Sequence, residues 1–177
     1  AEIMQFCQKG LVDYTFLGGA QIDAYGNLNS TMIGDDYERP TVRLPGSGGA
    51  CDLASFCWRT LVVTRHDARR FAATLDFVTT PGFLTGPGAR ERAGLPADTG
   101  PFRVVTDLAV LGYHPQNKRM QVLTLHPGST LDRVQQATGF ELELADPVGT
   151  TPSPSALELN ILRTEVDPHR YVLGRAL

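Results

Sequence analysis

Leu44-Pro45-Gly46-Ser47-Gly48-Gly49-Ala50-Cys51-Asp52 is the stretch on which the reading of the fold turns. A short extended piece, Thr41 to Leu44, leads into it. Leu53 to Trp58 then resembles the first turns of a helix, and Leu61-Val62-Val63-Thr64 the next strand. A glycine run followed by a helix and a strand is the rhythm of parallel βαβ units, whose sheet must carry helices on its faces. Successive glycines permit backbone conformations closed to other residues and let a ligand meet bare N–H groups, while the start of the helix adds partial positive charge. Such a loop can hold a phosphate or an oxyanion. It can equally be a tight strand-to-helix turn and nothing more, and the glycines alone leave both readings open. Two cofactor loops do not fit: Cys51 stands where the third glycine of Gly-x-Gly-x-x-Gly belongs, and no Lys-Ser or Lys-Thr follows the glycines as in a Walker-type loop.

Upstream, Leu11 to Leu17 is rich in β-branched and aromatic residues and ends at Gly18-Gly19, a buried strand feeding a loop. Gln21 to Thr31 is polar, with a left-handed turn expected at Tyr25-Gly26-Asn27, and reads as a functional loop. Before it, Ile3, Phe6 and Cys7 share one helical face and Gly10 stops it. That start lacks the basic and apolar pattern of a secretory signal and reads as the interior of a domain. Downstream, Val104 to Leu111 and Met120 to Leu125 are strand candidates joined as a hairpin through Gly112 to Arg119. Ser129-Thr130-Leu131-Asp132 has the capping-box pattern, with Leu131, Val134 and Thr138 on one face before Gly139. Ser153-Pro154 opens a last helix with Leu157, Ile161 and Leu162 on one side, ended by Asp167-Pro168. Thr80 to Gly100 and Pro147 to Pro154 read as loops too short to be linkers, so residues 1–177 are expected to form a single domain.

At 177 residues, 42% apolar and 20% charged, the chain has ordinary globular composition, and no apolar run is long enough to span a bilayer. The formal charge of −3 is spread along the chain, which argues against nucleic acid and membrane as partners. Cys7, Cys51 and Cys57 are odd in number and lack Cys-x-x-Cys spacing, which suits a reducing, cytoplasmic compartment. The four histidines show no helical pairing, and Asp35, Asp36 and Glu38 lack the spacing of a calcium loop, so no metal is expected. His126-Pro127-Gly128, between a strand and a capped helix, suits either a ligand loop or plain turn chemistry, the latter preferred because turn residues usually serve the turn. Cys51 lies near a helix start but has no histidine nearby in sequence; Cys51 and Cys57 are expected to be small buried hydrophobes.

Taken in order, a string of motifs carries a resemblance. It comprises Val12-Asp13-Tyr14-Thr15-Phe16-Leu17-Gly18-Gly19-Ala20-Gln21-Ile22-Asp23, Tyr25-Gly26-Asn27-Leu28-Asn29-Ser30-Thr31, Arg39-Pro40 and Arg43 to Ala50. It continues through Thr64-Arg65-His66, Arg69-Arg70-Phe71, Asp76-Phe77-Val78-Thr79-Thr80-Pro81-Gly82, Arg90 to Pro96, Leu125 to Gly128 and Thr138 to Glu141. The chain resembles family I coenzyme A transferases, in particular B subunits of the glutaconate type, over nearly its whole length.

The resemblance implies an open three-layer α/β/α fold with a mostly parallel sheet, shared with some sugar-phosphate isomerases. It implies an A subunit as partner and an active site between the two. It also implies transfer of coenzyme A between carboxylic acids through a glutamyl-coenzyme A thioester, with the acyl-coenzyme A as substrate and no permanently bound cofactor. On that resemblance Gly46, Gly48, Gly49 and Ala50 are the candidate oxyanion and thioester-binding residues, and Gln21, Asn27 and Asn29 the candidates for orienting substrate. The family's nucleophilic Glu is followed closely by glycine, and none of Glu2, Glu38, Glu91, Glu141, Glu143, Glu158 or Glu165 has glycine within two positions. The nucleophile is therefore expected upstream of Ala1. The alternatives are a hydrolase or ring-opening relative of the same fold, and a domain that binds coenzyme A or the companion chain without chemistry.

Overall fold

A computed structural model describes residues 2–172 and Gly174. In chain order the elements are α1 (Glu2–Gln8), β1 (Tyr14–Leu17), β2 (Gln21–Ile22), β3 (Leu28–Asn29), β4 (Met32–Ile33), β5 (Val42–Arg43), α2 (Ala50–Phe56) and β6 (Arg59–Val63). There follow α3 (Ala89–Arg92), β7 (Gly100–Val105), β8 (Ala109–Tyr113), β9 (Met120–Leu125), α4 (Leu131–Gln136), β10 (Glu143–Thr150) and α5 (Ala156–Ile161), which runs on into a π-helical turn, Leu162–Val166. Six strands form the central sheet in the order β1-β6-β7-β8-β9-β10. The β1–β6, β6–β7 and β9–β10 pairs are parallel and β7-β8-β9 is an antiparallel meander, so the sheet is mixed and mostly parallel, with helices flanking it, as the α/β reading requires. β2–β3 and β4–β5 are two small antiparallel hairpins outside it.

The core follows from strand alternation. Met120 and Val122 on β9, Leu111 on β8 and Val104 on β7 point inward and pack with Val62, Phe71, Leu28, Ile22 and Val134. Full burial of each Leu- or Phe-sized side chain stabilises the fold by about 1.5–3 kcal/mol. Crossing from β1 to the parallel β6 requires a helix, and α2 supplies it, packing on β1, β6 and β7. This geometry places the glycine loop at the amino end of α2.

Several local expectations are corrected. β1 is an edge strand rather than a buried one, with Tyr14 and Phe16 exposed on its outer face. Val104 to Leu111 is two strands, because the Thr106 side chain accepts from the amides of Leu108 and Ala109 and turns the chain between β7 and β8. Pro147 to Pro154 is in part strand: β10 lies at the opposite sheet edge, and its register shifts between Leu144 and Gly149, an irregularity that accommodates Pro147. Segment 80–100 contains the one-turn helix α3. Thr130 rather than Ser129 caps α4, and Ser155, in a capping box with Glu158, opens α5. The apolar side of α5 is not buried, Leu157 being 68% exposed. Cys51 is exposed, because it faces outward from the first turn of α2; Cys7 and Cys57 are buried, their Sγ atoms 3.6 Å apart.

Candidate functional site

The glycine loop departs from β5 and is held at its start. Leu44 donates its amide to Thr31 O at 2.9 Å, Gly46 donates to Ser30 O at 2.8 Å, and Ser30 Oγ donates to Gly46 O at 3.0 Å. Gly46 and Gly48 adopt φ of +91° and +50°, backbone that an L side chain enters only with strain. Ala50 donates back to Ser47 O at 2.8 Å as α2 begins. The amides of Gly46 and Ala50 are thus engaged inside the chain, which removes them as direct donors. Those of Ser47, Gly48 and Gly49 meet no acceptor among the described residues. Three consecutive amides without an internal acceptor are available to an anion or oxyanion.

The loop faces outward. Ser47 and Gly48 are exposed, and a Cβ added at Gly46 or Gly48 would meet nothing within 4 Å. Two cavities elsewhere are not lined by it. One, of about 460 Å³, lies between Arg59, Phe83, Arg90, Phe102 and Lys118; the other, of about 410 Å³, is lined by Asp23, Tyr25, Asn27, Leu75, Val78 and Leu84.

Gln21, Asn27 and Asn29 are built into the scaffold. Asn29 is fully buried: its Nδ2 donates to Gln21 Oε1 at 2.7 Å and Met32 O at 2.6 Å, and its Oδ1 accepts from the amides of Thr31 and Met32. Gln21 Oε1 also accepts from the Asp76 amide. Asn27 donates to Asp23 Oδ2 and Leu84 O and accepts from the amides of Gly82 and Leu84. Sealed and saturated in this way, Asn29 presents no group to a ligand. It locks the Ser30–Thr31 bend from which the glycine loop hangs.

Sequence reasoning passed over Asp23, Thr79 and Arg90. Asp23 accepts from the amides of Tyr25 and Asn27 and lines the second cavity, and burial raises its carboxyl above the usual range. The Asp-x-x-Gly-Asn spacing was the signal for its turn. Thr79 and Arg90 left no local signal, because their partners are remote in sequence.

His66 is buried, stacked on Phe71 at 4.1 Å between ring centroids, and within hydrogen-bond reach of Thr106 Oγ1 and Thr138 Oγ1. Burial lowers its pKa from 6.5 to about 4. Above pH 6.5 the imidazole is neutral in folded and unfolded chains alike and adds no pH dependence. As pH falls from 6.5 towards 4 the unfolded chain gains a proton that the folded chain resists, so stability declines by roughly 3 kcal/mol. Urea unfolding at pH 7 and pH 4.5 is expected to show this loss in the wild type and a clearly smaller one in His66→Gln. Parallel losses in the two proteins would assign the acid sensitivity to other groups.

Among the described residues no three His, Cys, Asp or Glu side chains converge as a metal site, and no helix is long and apolar enough to cross a membrane.

A mixed α/β sheet with a donor-bearing glycine loop at the start of a crossover helix is the class of architecture here, and the family follows from comparison. A sequence profile of the family described as Coenzyme A transferase matches residues 1–137. The chain belongs to the coenzyme A transferase family. It is 44% identical over 168 residues to the B subunit of glutaconate CoA-transferase from Acidaminococcus fermentans, covering 94% of this chain and 62% of that one. The crystal structure of the A. fermentans glutaconate coenzyme A-transferase superposes with a TM-score of 0.89 at 40% identity, covering 99% of this chain and 66% of that chain. The chain is also 39% identical over 156 residues to the B subunit of 3-oxoadipate CoA-transferase from Pseudomonas knackmussii (88% and 59% covered). It is 30% identical over 159 residues to the cholesterol ring-cleaving hydrolase IpdB subunit of Rhodococcus jostii (88% and 60%). The chain thus spans about three fifths of the length of the relatives it matches.

Proposed function

We propose that residues 1–177 form one domain of a B-type subunit that works with an A subunit, in the cytoplasm, to move coenzyme A from an acyl-coenzyme A to a free carboxylic acid. The observation that carries the reading is the run of unengaged amides at Ser47, Gly48 and Gly49, on open backbone, in a chain of this family.

In the reaction a glutamate carboxylate attacks the thioester carbonyl, and the C–S bond breaks to give an acyl-glutamyl anhydride and coenzyme A thiolate. The thiolate attacks the glutamyl carbonyl, releasing the first acid and leaving a glutamyl-coenzyme A thioester. The second acid attacks that thioester to form a new anhydride, and the thiolate then takes its acyl group, restoring the glutamate. Every addition places negative charge on a carbonyl oxygen, and donors fixed before the reaction stabilise that charge without reorganising. The loop amides fill this role. The reading places the nucleophilic glutamate outside residues 1–177 and the facing wall of the cleft on the rest of the assembled enzyme.

Exchange of coenzyme A between a panel of thioesters and free acids, measured with the full-length two-subunit enzyme, tests it. Ping-pong exchange is expected. Gly49→Pro deletes one donor; the φ of −98° is more extended than proline's usual range and the ring has to displace the flexible end of Met4, and the variant is expected to lower kcat on the order of 10²–10³-fold. Hydrolysis without exchange would favour the activity named for the R. jostii relative, and neither reaction would favour a binding domain.

A further inference from the structure

We infer that Thr79, acting through Ser30 and Thr31, is a positioning residue that sets the glycine loop for oxyanion binding. The inference rests on the transferase reading of that loop. At its far end the loop runs into α2, where Gly49 packs on Met4 and Ala50 donates to Ser47 O, while Gly46 and Gly48 between border open space. The placement of its amino-terminal half is set by the hydrogen bonds of Leu44 and Gly46 to residues 30 and 31. Residues 30 and 31 are held in turn by two side chains: Asn29 Oδ1 accepts from the Thr31 amide at 3.0 Å, and Thr79 braces the bend from the other side. Ser30 donates its amide to Thr79 Oγ1 at 2.9 Å, and Thr31 Oγ1 lies 2.7 Å from the same oxygen.

Thr79 is anchored independently of the loop, its amide donating to Leu28 O at 2.9 Å beside β3. Both Thr31 and Thr79 are 8% exposed, so water does not readily replace a lost partner. Thr79 lines neither cavity and touches no loop amide. Its influence runs through the two residues that hold Gly46 and Leu44. Oxyanion donors act only when already aimed at the oxygen, and a displacement of about 1 Å can cost on the order of 10²-fold in rate.

The test uses the full-length two-subunit enzyme with Thr79→Val, Thr79→Ser and Ser30→Ala. Thr79→Val is expected to lower kcat for exchange roughly 10–100-fold while KM for thioester and acid stays within about twofold, because the lost interaction belongs to the transition state. Thr79→Ser keeps the oxygen and is expected to restore kcat, and Ser30→Ala, which removes the Oγ bond to Gly46, to fall in the same direction. Hydrogen exchange at the Leu44 and Gly46 amides reads the clamp without reference to the reaction. It should accelerate in Thr79→Val and not in Thr79→Ser. Unchanged exchange at both amides in Thr79→Val overturns the clamp, and faster exchange with a wild-type kcat overturns the positioning role. A wild-type enzyme that transfers nothing overturns the transferase reading and the catalytic part of this inference together, while amide exchange still decides the clamp.

Discussion

Gly82→Ala is expected to cost more than about 4 kcal/mol of folding stability, enough to leave the chain largely unfolded or insoluble. A Cβ added at Gly82 would stand 2.3 Å from the carbonyl carbon of Gly26, 2.4 Å from the Asn27 nitrogen and 2.5 Å from Gly26 O. All three neighbours are backbone, so no side-chain rotation relieves the overlap, and the tip of the β2–β3 hairpin has to move. It cannot move alone. The Gly82 amide donates to Asn27 Oδ1 at 2.7 Å, and Asn27 is tied to Asp23 and Leu84, so displacement breaks a connected set of buried bonds. Gly26 itself adopts φ +73°, and the Tyr113 hydroxyl lies where its Cβ would be, so the hairpin cannot retreat on that side. Gly18→Ala is the control, with nothing within 4 Å of the added atom and a change within about 0.5 kcal/mol expected. Urea unfolding of the two variants checks both, and a Gly82→Ala protein within about 1 kcal/mol of wild type would contradict the packing described here.

Arg90→Ala is expected to be nearly as severe, at about 3–5 kcal/mol. The guanidinium is 2% exposed and donates to Gly82 O at 2.8 Å, Ala54 O at 3.0 Å, Thr99 Oγ1 at 2.9 Å and, more weakly, Pro81 O at 3.3 Å. It thereby joins α2, the bend that packs on the hairpin, and the approach to β7. Burial lowers its pKa, and no carboxylate lies within ion-pair distance of it among the described residues, so the charge is held by carbonyl dipoles. Truncation leaves those acceptors buried without donors and opens a void. Arg90→Met tests which loss dominates, because it restores volume but no donor. If hydrogen bonding dominates, Met recovers little; a Met variant close to wild type in urea midpoint would show the network to be dispensable.

Much of the architecture was legible locally. The glycine run, the crossover helix behind it and the β6 strand follow from composition and period, because turn residues and apolar spacing act over only a few positions. The Gly26 turn and the α4 and α5 starts were visible for the same reason, although the capping residue shifted by one or two positions in each helix. The Thr106 turn was hidden because a hydroxyl breaking a run of strand formers leaves the hydropathy pattern unchanged. Strand β10 was hidden by Pro147, which a central strand excludes and an irregular edge strand accepts.

Among the candidate residues, Gly48 and Gly49 keep free amides in the fold, whereas Gly46 and Ala50 use theirs internally and Asn29 is sealed in the scaffold. The same order of residues that spells the family also spells the donor loop, since the positive φ at Gly46 and Gly48 that opens it favours glycine. The scaffold around that loop was decided elsewhere: the Ser30–Thr79, Arg90, Gly82–Asn27 and Leu84–Asn27 hydrogen bonds join residues 8 to 57 positions apart. A hydrogen bond across such a span leaves no periodicity in the chain. It exists only once the sheet and its hairpins have brought the partners within about 3 Å and excluded the water that would otherwise compete.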